Sequence, residues 1–306
     1  MDLAYSIECL IAADNHLGEG PIWDAEERAL YWVDGTGARV GNPTIWRLDP
    51  NTGKTQSWDI KRDIGALALR KSGGAVLALD DGFYLFDFAT SALELVHAID
   101  QDEPRSRLND GKVDRRGRFL AGGMDDKEEL GLCSLWRLDP DLSLHKLDDG
   151  IICSNGPCWS PDNKTFYFAD TFQQIMWAYD YDLENGELSN KREFANTANE
   201  TGFFDGSTVD TEGCLWNALV IGGELIRYTP DGEEERRIGM PVKNITSIAF
   251  GGENLDELYV TSMARVSHPA EHEHFNKQLK PQFGAGGLFR IRGLGITGYP
   301  EPRFAG

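Results

Sequence analysis

Six times along this 306-residue chain, a large apolar residue is followed by a Gly- or Asp-rich turn and a second apolar run. The copies centre on Trp23, Leu69, Val113, Trp159, Val209 and Phe250, spaced 41 to 50 residues apart. Four places upstream of each stands Glu19, Gly65, Asn109, Asn155, Asp205 or Thr246. Four of these six equivalent positions carry a carboxylate or a carboxamide. If equivalent positions in a ring of repeats face one axis, those four oxygen-bearing side chains converge.

A second recurring element strengthens the period. TIWRLDPNTGK, GFYLFDFATSA, SLWRLDPDLS, IMWAYDYDLENG, ELIRYTPDG and GLFRIRGLG each read as a short strand ending in turn residues. Segments such as TQSWDI, LELVHAI, LHKLDD, REFAN and ERRIGM supply a fourth, more polar strand. Four strands in roughly 45 residues correspond to one blade of a β-propeller. The expectation is an all-β chain forming a six-bladed propeller of four antiparallel strands per blade. It runs as a single domain over residues 1–306, because no linker or low-complexity tract divides it. An eight-stranded sandwich is the fallback, and the sixfold period counts against it. Radial repetition hides sheet edges, and such rings close by lending a terminal strand to the last blade. Residues 7–12, IECLIA, are the candidate. Residues 267–286 read as a loop inserted in the last blade.

The chain carries a formal charge of −20 with a pI near 4.6. Its long-range field repels nucleic-acid backbones and anionic membranes, leaving cations and neutral small molecules as the expected partners. No basic leader and no run of about 20 apolar residues is present, so a cytoplasmic protein is expected, a monomer or weak dimer. Five cysteines, Cys9, Cys133, Cys153, Cys158 and Cys214, show no paired CxxC spacing. They read as mostly buried thiols, a Cys153–Cys158 disulfide being the minority alternative in a reducing compartment.

Glu19 and Asp205 bring two negative charges to the expected ring, and Asn109 and Asn155 add amide oxygens. Oxygen-only donors suit a hard divalent cation such as Ca²⁺, Mg²⁺ or Mn²⁺. A catalytic Zn²⁺ with three protein ligands and open positions stays an alternative. Asn-Gly, Asp-Gly and Glu-Gly pairs are ordinary turn formers when taken singly, but four at one offset in six repeats exceed that explanation. Arg107 lies two residues before Asn109, on the same side of an entering strand. It reads equally as a clamp for ligand oxygens or as a partner for a nearby acid. His268, His272 and His274 read as spare surface histidines, and the stretch DDKEE at 125–129 as a solvated loop or a lid over the channel mouth. No G-x-S-x-G, HExxH, P-loop or GxGxxG occurs, so serine hydrolase, zincin and nucleotide-binding readings lack support.

LGEGPIW (17–23), RLNDGKVDRRGRFLAG (107–122), SNGPCWSPD (154–162) and FDGSTVDTEG (204–213) together resemble the senescence marker protein, regucalcin and gluconolactonase family. The motifs keep the family's order across nearly the whole chain. GPCWSPD and the C-terminal GGLFRI and PRFAG are similar to bacterial sugar lactonases of the L-arabinonolactonase type. The resemblance implies a six-bladed propeller holding one divalent metal on Glu19, Asn155 and Asp205, with Arg107 and Asn109 contacting substrate. It also implies an acidic substrate contact just after the AGGM segment. Counting places Lys127 there, with Asp126 or Glu128 as neighbours able to substitute.

The expected reaction is hydrolysis of an aldono-1,4- or 1,5-lactone, such as L-arabinono-, D-xylono-, D-galactono- or D-gluconolactone. Asp205 is the expected general base. Phosphotriester hydrolysis on the same metal site is the enzymatic rival, and a non-enzymatic calcium-binding propeller the other.

Overall fold

The structure is a computed structural model that describes residues 5–35, 42–264 and 282–306. These residues form 24 strands and no helix, so no helix long and apolar enough to cross a membrane occurs among them. β1 (Ser6–Ile11) opens the chain. The next twenty strands make five sheets in sequence order. The first comprises β2 (Gly18–Asp24), β3 (Ala29–Asp34), β4 (Thr44–Asp49) and β5 (Lys54–Asp59). The second comprises β6 (Ile64–Leu69), β7 (Ala75–Leu79), β8 (Gly82–Phe86) and β9 (Leu93–Ala98). β10 (Ser106–Val113), β11 (Phe119–Asp125), β12 (Cys133–Leu138) and β13 (Leu144–Ile151) make the third. β14 (Ser154–Trp159), β15 (Thr165–Asp170), β16 (Ile175–Asp182) and β17 (Glu187–Asn196) make the fourth. β18 (Phe203–Val209), β19 (Leu215–Val220), β20 (Glu224–Tyr228) and β21 (Glu234–Gly239) make the fifth. The sixth joins β22 (Ile245–Gly251), β23 (Glu257–Ser262) and β24 (Leu288–Arg292) to β1.

The molecule is therefore a six-bladed propeller, closed by β1 pairing antiparallel with β24 from Ser6↔Arg292 to Ile11↔Leu288. The closing strand falls one residue earlier than its sequence suggested. Within each blade the burial gradient follows composition. β6, reading IGALAL, is buried at every position, whereas β5, reading KTQSWD, is exposed at all but one. Apolar side chains cannot be satisfied within one sheet, so they pack between neighbours. Six core clusters result, one per blade junction. Trp23, Trp32 and Tyr259 join the last blade to the first, and Phe166, Phe168 and Leu135 join the third to the fourth.

A detail invisible in the sequence fixes the channel. In every blade the pairing of the innermost strand with its neighbour slips at one place: between Glu19 and Ile22, Ile64 and Ala66, Leu108 and Gly111, Asn155 and Cys158, Phe204 and Ser207, and Ile245 and Ile248. A β-bulge re-aims the residue it carries. Each of the six upstream positions sits at or inside its slip. The chain's last residues run back beneath the ring, with Phe304 bridging to Arg70 and Gly298 to Asp210.

The insert in the last blade lies between β23 and β24, as expected. His268, His272 and His274 lie outside the described residues, and residues 283–286 form a turn. All five cysteines are free thiols, four of them buried and Cys9 exposed.

Candidate functional site

Glu19, Arg107, Asn109, Asn155 and Asp205 line one cavity of about 110 Å³ at one end of the channel. The local sequence explains their placement. Gly156, directly after Asn155, has φ +60°, and a Cβ there would lie 2.4 Å from Ser207 Oγ and 2.8 Å from the Asp205 carbonyl oxygen. Only glycine lets the fourth and fifth blades approach this closely at the floor.

The amides form a directed chain. Arg107 Nη1 donates to Asn109 Oδ1 at 3.1 Å, and Asn109 Nδ2 donates to Asn155 Oδ1 at 3.0 Å and to the Ser154 carbonyl at 2.9 Å. Asn155 Nδ2 donates to Thr171 Oγ1 at 2.8 Å, and Thr171 donates onward to the Phe204 carbonyl at 2.9 Å. This chain holds Asn155 with its oxygen turned away from Thr171, towards Asn109. Asn217 Nδ2 donates to the Asp205 carbonyl at 2.7 Å and anchors that bulge from behind.

The carboxyl groups are under electrostatic load. Burial, then the charge of Asp110, pushes Glu19 up to about 8, against the stabilising N–H of Gly20 at 2.8 Å. Asp205 is raised well above the carboxylate range by burial, then by Glu19 and Asp110. Glu19 and Asp205 stand close enough that the charge of Glu19 disfavours ionisation of Asp205. Asp110 lies just beneath, accepting the N–H groups of Gly111 at 2.7 Å and Gly156 at 2.8 Å. Burial raises it while the charge of Lys112 opposes the rise. Lys112 in turn pairs with Glu301 at 3.3 Å and donates to the Ser207 carbonyl at 3.0 Å.

This donor set suits a hard divalent cation. Two neighbouring carboxylates and an orientated amide oxygen offer oxygen ligands only, and a dication would offset the buried negative charge. Among the described residues no three His, Cys, Asp or Glu side chains are grouped to hold a metal jointly. The set that fits is thus two carboxylates and one carboxamide.

Arg107 is a partner for a nearby acid, and its guanidinium also orders the amide chain. Its Nε donates to Asp126 Oδ1 at 3.2 Å while Nη1 faces the amide chain. Glu128, not Lys127, lines the cavity, because the turn after β11 gives Glu128 a left-handed backbone with φ +60°. The stretch DDKEE is also less solvated than its charge suggests. Asp125 is fully buried, bonded to Arg105 and to the N–H groups of Lys127, Glu129 and Leu130. Sequence reasoning missed Asp110, Thr171, Cys153 and the apolar members of the cavity. A signal for some of these existed, since Leu17, Cys153 and Phe203 occupy the same offset from the ring as Arg107.

Residues 17–264 match the family described as SMP-30/Gluconolactonase/LRE-like region. The chain belongs to this family. Its full-length relatives include regucalcin of Xenopus laevis, 39% identical over 306 residues and covering 98% of each chain. Among solved structures, this family member superimposes on a luciferin-regenerating enzyme with a TM-score of 0.89 at 26% identity, covering 99% of this chain and 100% of that one. A calcium-binding protein, regucalcin, from Agrobacterium tumefaciens gives a TM-score of 0.86 at 28% identity, over 98% and 97% of the two chains.

Proposed function

We propose that this chain hydrolyses a sugar-acid lactone to the open aldonate, with one divalent cation held by Glu19, Asn155 and Asp205. The observation that carries this reading is the meeting of two buried carboxyl groups at the floor of a small-molecule cavity, beside the Arg107–Asn109–Asn155 chain of orientated donors. The family's gluconolactonase members supply the reaction class. The calcium-binding regucalcin supplies a precedent for the cation.

When bound, the cation supplies Lewis-acid polarisation of the lactone carbonyl and offsets the charge that develops on its oxygen. The protein does the rest. Arg107 presents its remaining N–H donors to the ring hydroxyls, Asn109 offers its amide oxygen as an acceptor, and together they set the carbonyl carbon above Asp205. Asp205 accepts a proton from the water whose oxygen attacks that carbon, and the same proton passes to the ring oxygen as the C–O bond breaks. Atoms balance as lactone plus water giving hydroxy acid.

Acid release from a panel of aldonolactones, followed at constant pH, tests the reading. Protein stripped by chelator is expected to be inactive until reloaded with Ca²⁺, Mn²⁺, Mg²⁺ or Zn²⁺. Asp205→Asn is expected to fold normally by circular dichroism and to release no acid. Undiminished turnover by this variant would overturn the assignment.

A further inference from the structure

The cavity has two chemically different walls. Arg107, Asn109 and Glu128, the charged and amide groups on this side, come from the third blade, which adds one apolar residue, Met124. Across the channel and beside it stand Leu17, Phe172, Phe203, Val220, Ile221 and Met263, from the first, fourth, fifth and sixth blades. The Phe172 and Phe203 rings meet with centroids 5.8 Å apart and planes tilted by 49°. A substrate hydroxylated on every carbon would leave hydroxyls against this wall without partners, and burying an unpaired hydroxyl is unfavourable.

The backbone points the same way. Twelve described residues other than glycine have positive φ, and Ile221, at +69°, is the one with a β-branched side chain. That conformation is a genuine outlier for such a residue, and glycine or asparagine would occupy the turn without strain. Gly222 and Gly223 follow directly, so the turn keeps a strained isoleucine beside two glycines. Strain of this kind persists where the side chain is required. Glu128 reaches the same cavity from the third blade, also through a left-handed residue.

Resting on the lactonase reading, we infer that the substrate is a deoxy-sugar lactone, hydroxylated near its carbonyl and ending in a bare methyl group, of the 6-deoxyhexono-1,4-lactone class. The hydroxylated edge lies on the Arg107, Asn109 and Glu128 side. The methyl end packs among Phe172, Phe203 and Ile221.

Matched pairs differing by one oxygen test this: galactono- and mannono-1,4-lactone, each against its 6-deoxy counterpart, in both enantiomers. The 6-deoxy member of at least one pair is expected to show kcat/KM about 10- to 100-fold above its parent. Ile221→Asn keeps the left-handed turn and sets an amide in the apolar wall. It is expected to melt no lower than wild type while shrinking that ratio at least tenfold. Parents opened at least as fast as 6-deoxy lactones in every pair overturn the inference and leave the lactonase standing, as does a ratio unmoved by Ile221→Asn. Hydrolysis of no aldonolactone at all overturns both.

Discussion

Replacing Asp125 by asparagine keeps the shape of a buried side chain and removes its charge. Asp125 is fully buried, and its Oδ1 accepts Arg105 Nε at 2.8 Å and the Lys127 N–H at 3.1 Å. Its Oδ2 accepts the other arm of Arg105 and the N–H groups of Glu129 and Leu130, both at 3.0 Å. An asparagine keeps one oxygen, best spent on the side with three donors, and turns its NH₂ towards Arg105 Nε and the Lys127 N–H. Two of five hydrogen bonds become donor–donor contacts. At about 1.5–3 kcal/mol for each bond to a charged group, the loss is about 3–6 kcal/mol. Arg105 keeps 26% of its side chain in solvent, so its stranded charge is partly rehydrated and the lower end of that range is expected. Burial opposes the charge on Asp125, but Arg105 and the three N–H groups outweigh it and hold the carboxyl below its ordinary range. A depressed folded value contributes stability that is present above the unfolded pKa of about 3.9 and is lost as pH falls through the folded value. Urea unfolding, which leaves ion pairs unscreened, should therefore give the same gap between wild type and variant at pH 7 and pH 5, and a smaller one at pH 3.5. A gap under about 0.5 kcal/mol at pH 7 refutes the reasoning, as does one that stays constant at pH 3.5. The turn built on Asp125 also carries Asp126 to Arg107 and Glu128 to the cavity, so lactone kcat/KM should fall with it.

Arg107→Ala and Asn109→Ala are expected to raise KM for lactones more than they lower kcat, because the proposed mechanism has both orient substrate; steady-state kinetics on the preferred lactone checks the split. Saturation with Ca²⁺ or Mn²⁺ at a hundredfold above Kd should stabilise the chelated protein by about 2.7 kcal/mol. For a chain of this length that is a rise in Tm of about 4 °C, read by calorimetry, and Glu19→Gln should remove most of it. Deleting residues 1–12 strips β1 from the last blade and leaves β24 as an open edge, so size-exclusion chromatography should show aggregation in place of the full-length species.

The ring was legible because a propeller repeats its sequence along with its structure. Spacing alone located all six innermost strands, and the polar fourth strands betrayed the outer edge. The converging position was legible for the same reason, since Glu19, Asn109, Asn155 and Asp205 share one offset. What the offset could not convey was the bulge. Strict alternation turns Asp110 away from Asn109, yet the slip between Leu108 and Gly111 brings Asp110 into the floor as well. Glu128 stood only as one of two alternatives to Lys127 for a related cause. A left-handed residue in the turn after β11 moves the register by one, so counting along the chain stopped at Lys127. The apolar wall was open to sequence reasoning, because the offset that singled out Arg107 gives Leu17, Cys153 and Phe203 in other blades.

Because each bulge is a slip between backbones, the sheet does not depend on which side chain the slip presents. The six positions behave as sockets around a common axis, but not all are equal. A side chain at Gly65 would strike the Leu108 and Asn109 carbonyls at 2.5 Å, and Thr246 is spent on the Gly18 carbonyl and Thr261. The usable sockets therefore lie on the first, third, fourth and fifth blades, and the site is lopsided within a nearly symmetric frame. A descendant of this chain could exchange one donor for another and acquire a new reaction without refolding a single blade. Evolution towards a new substrate has a short path here, four residues wide.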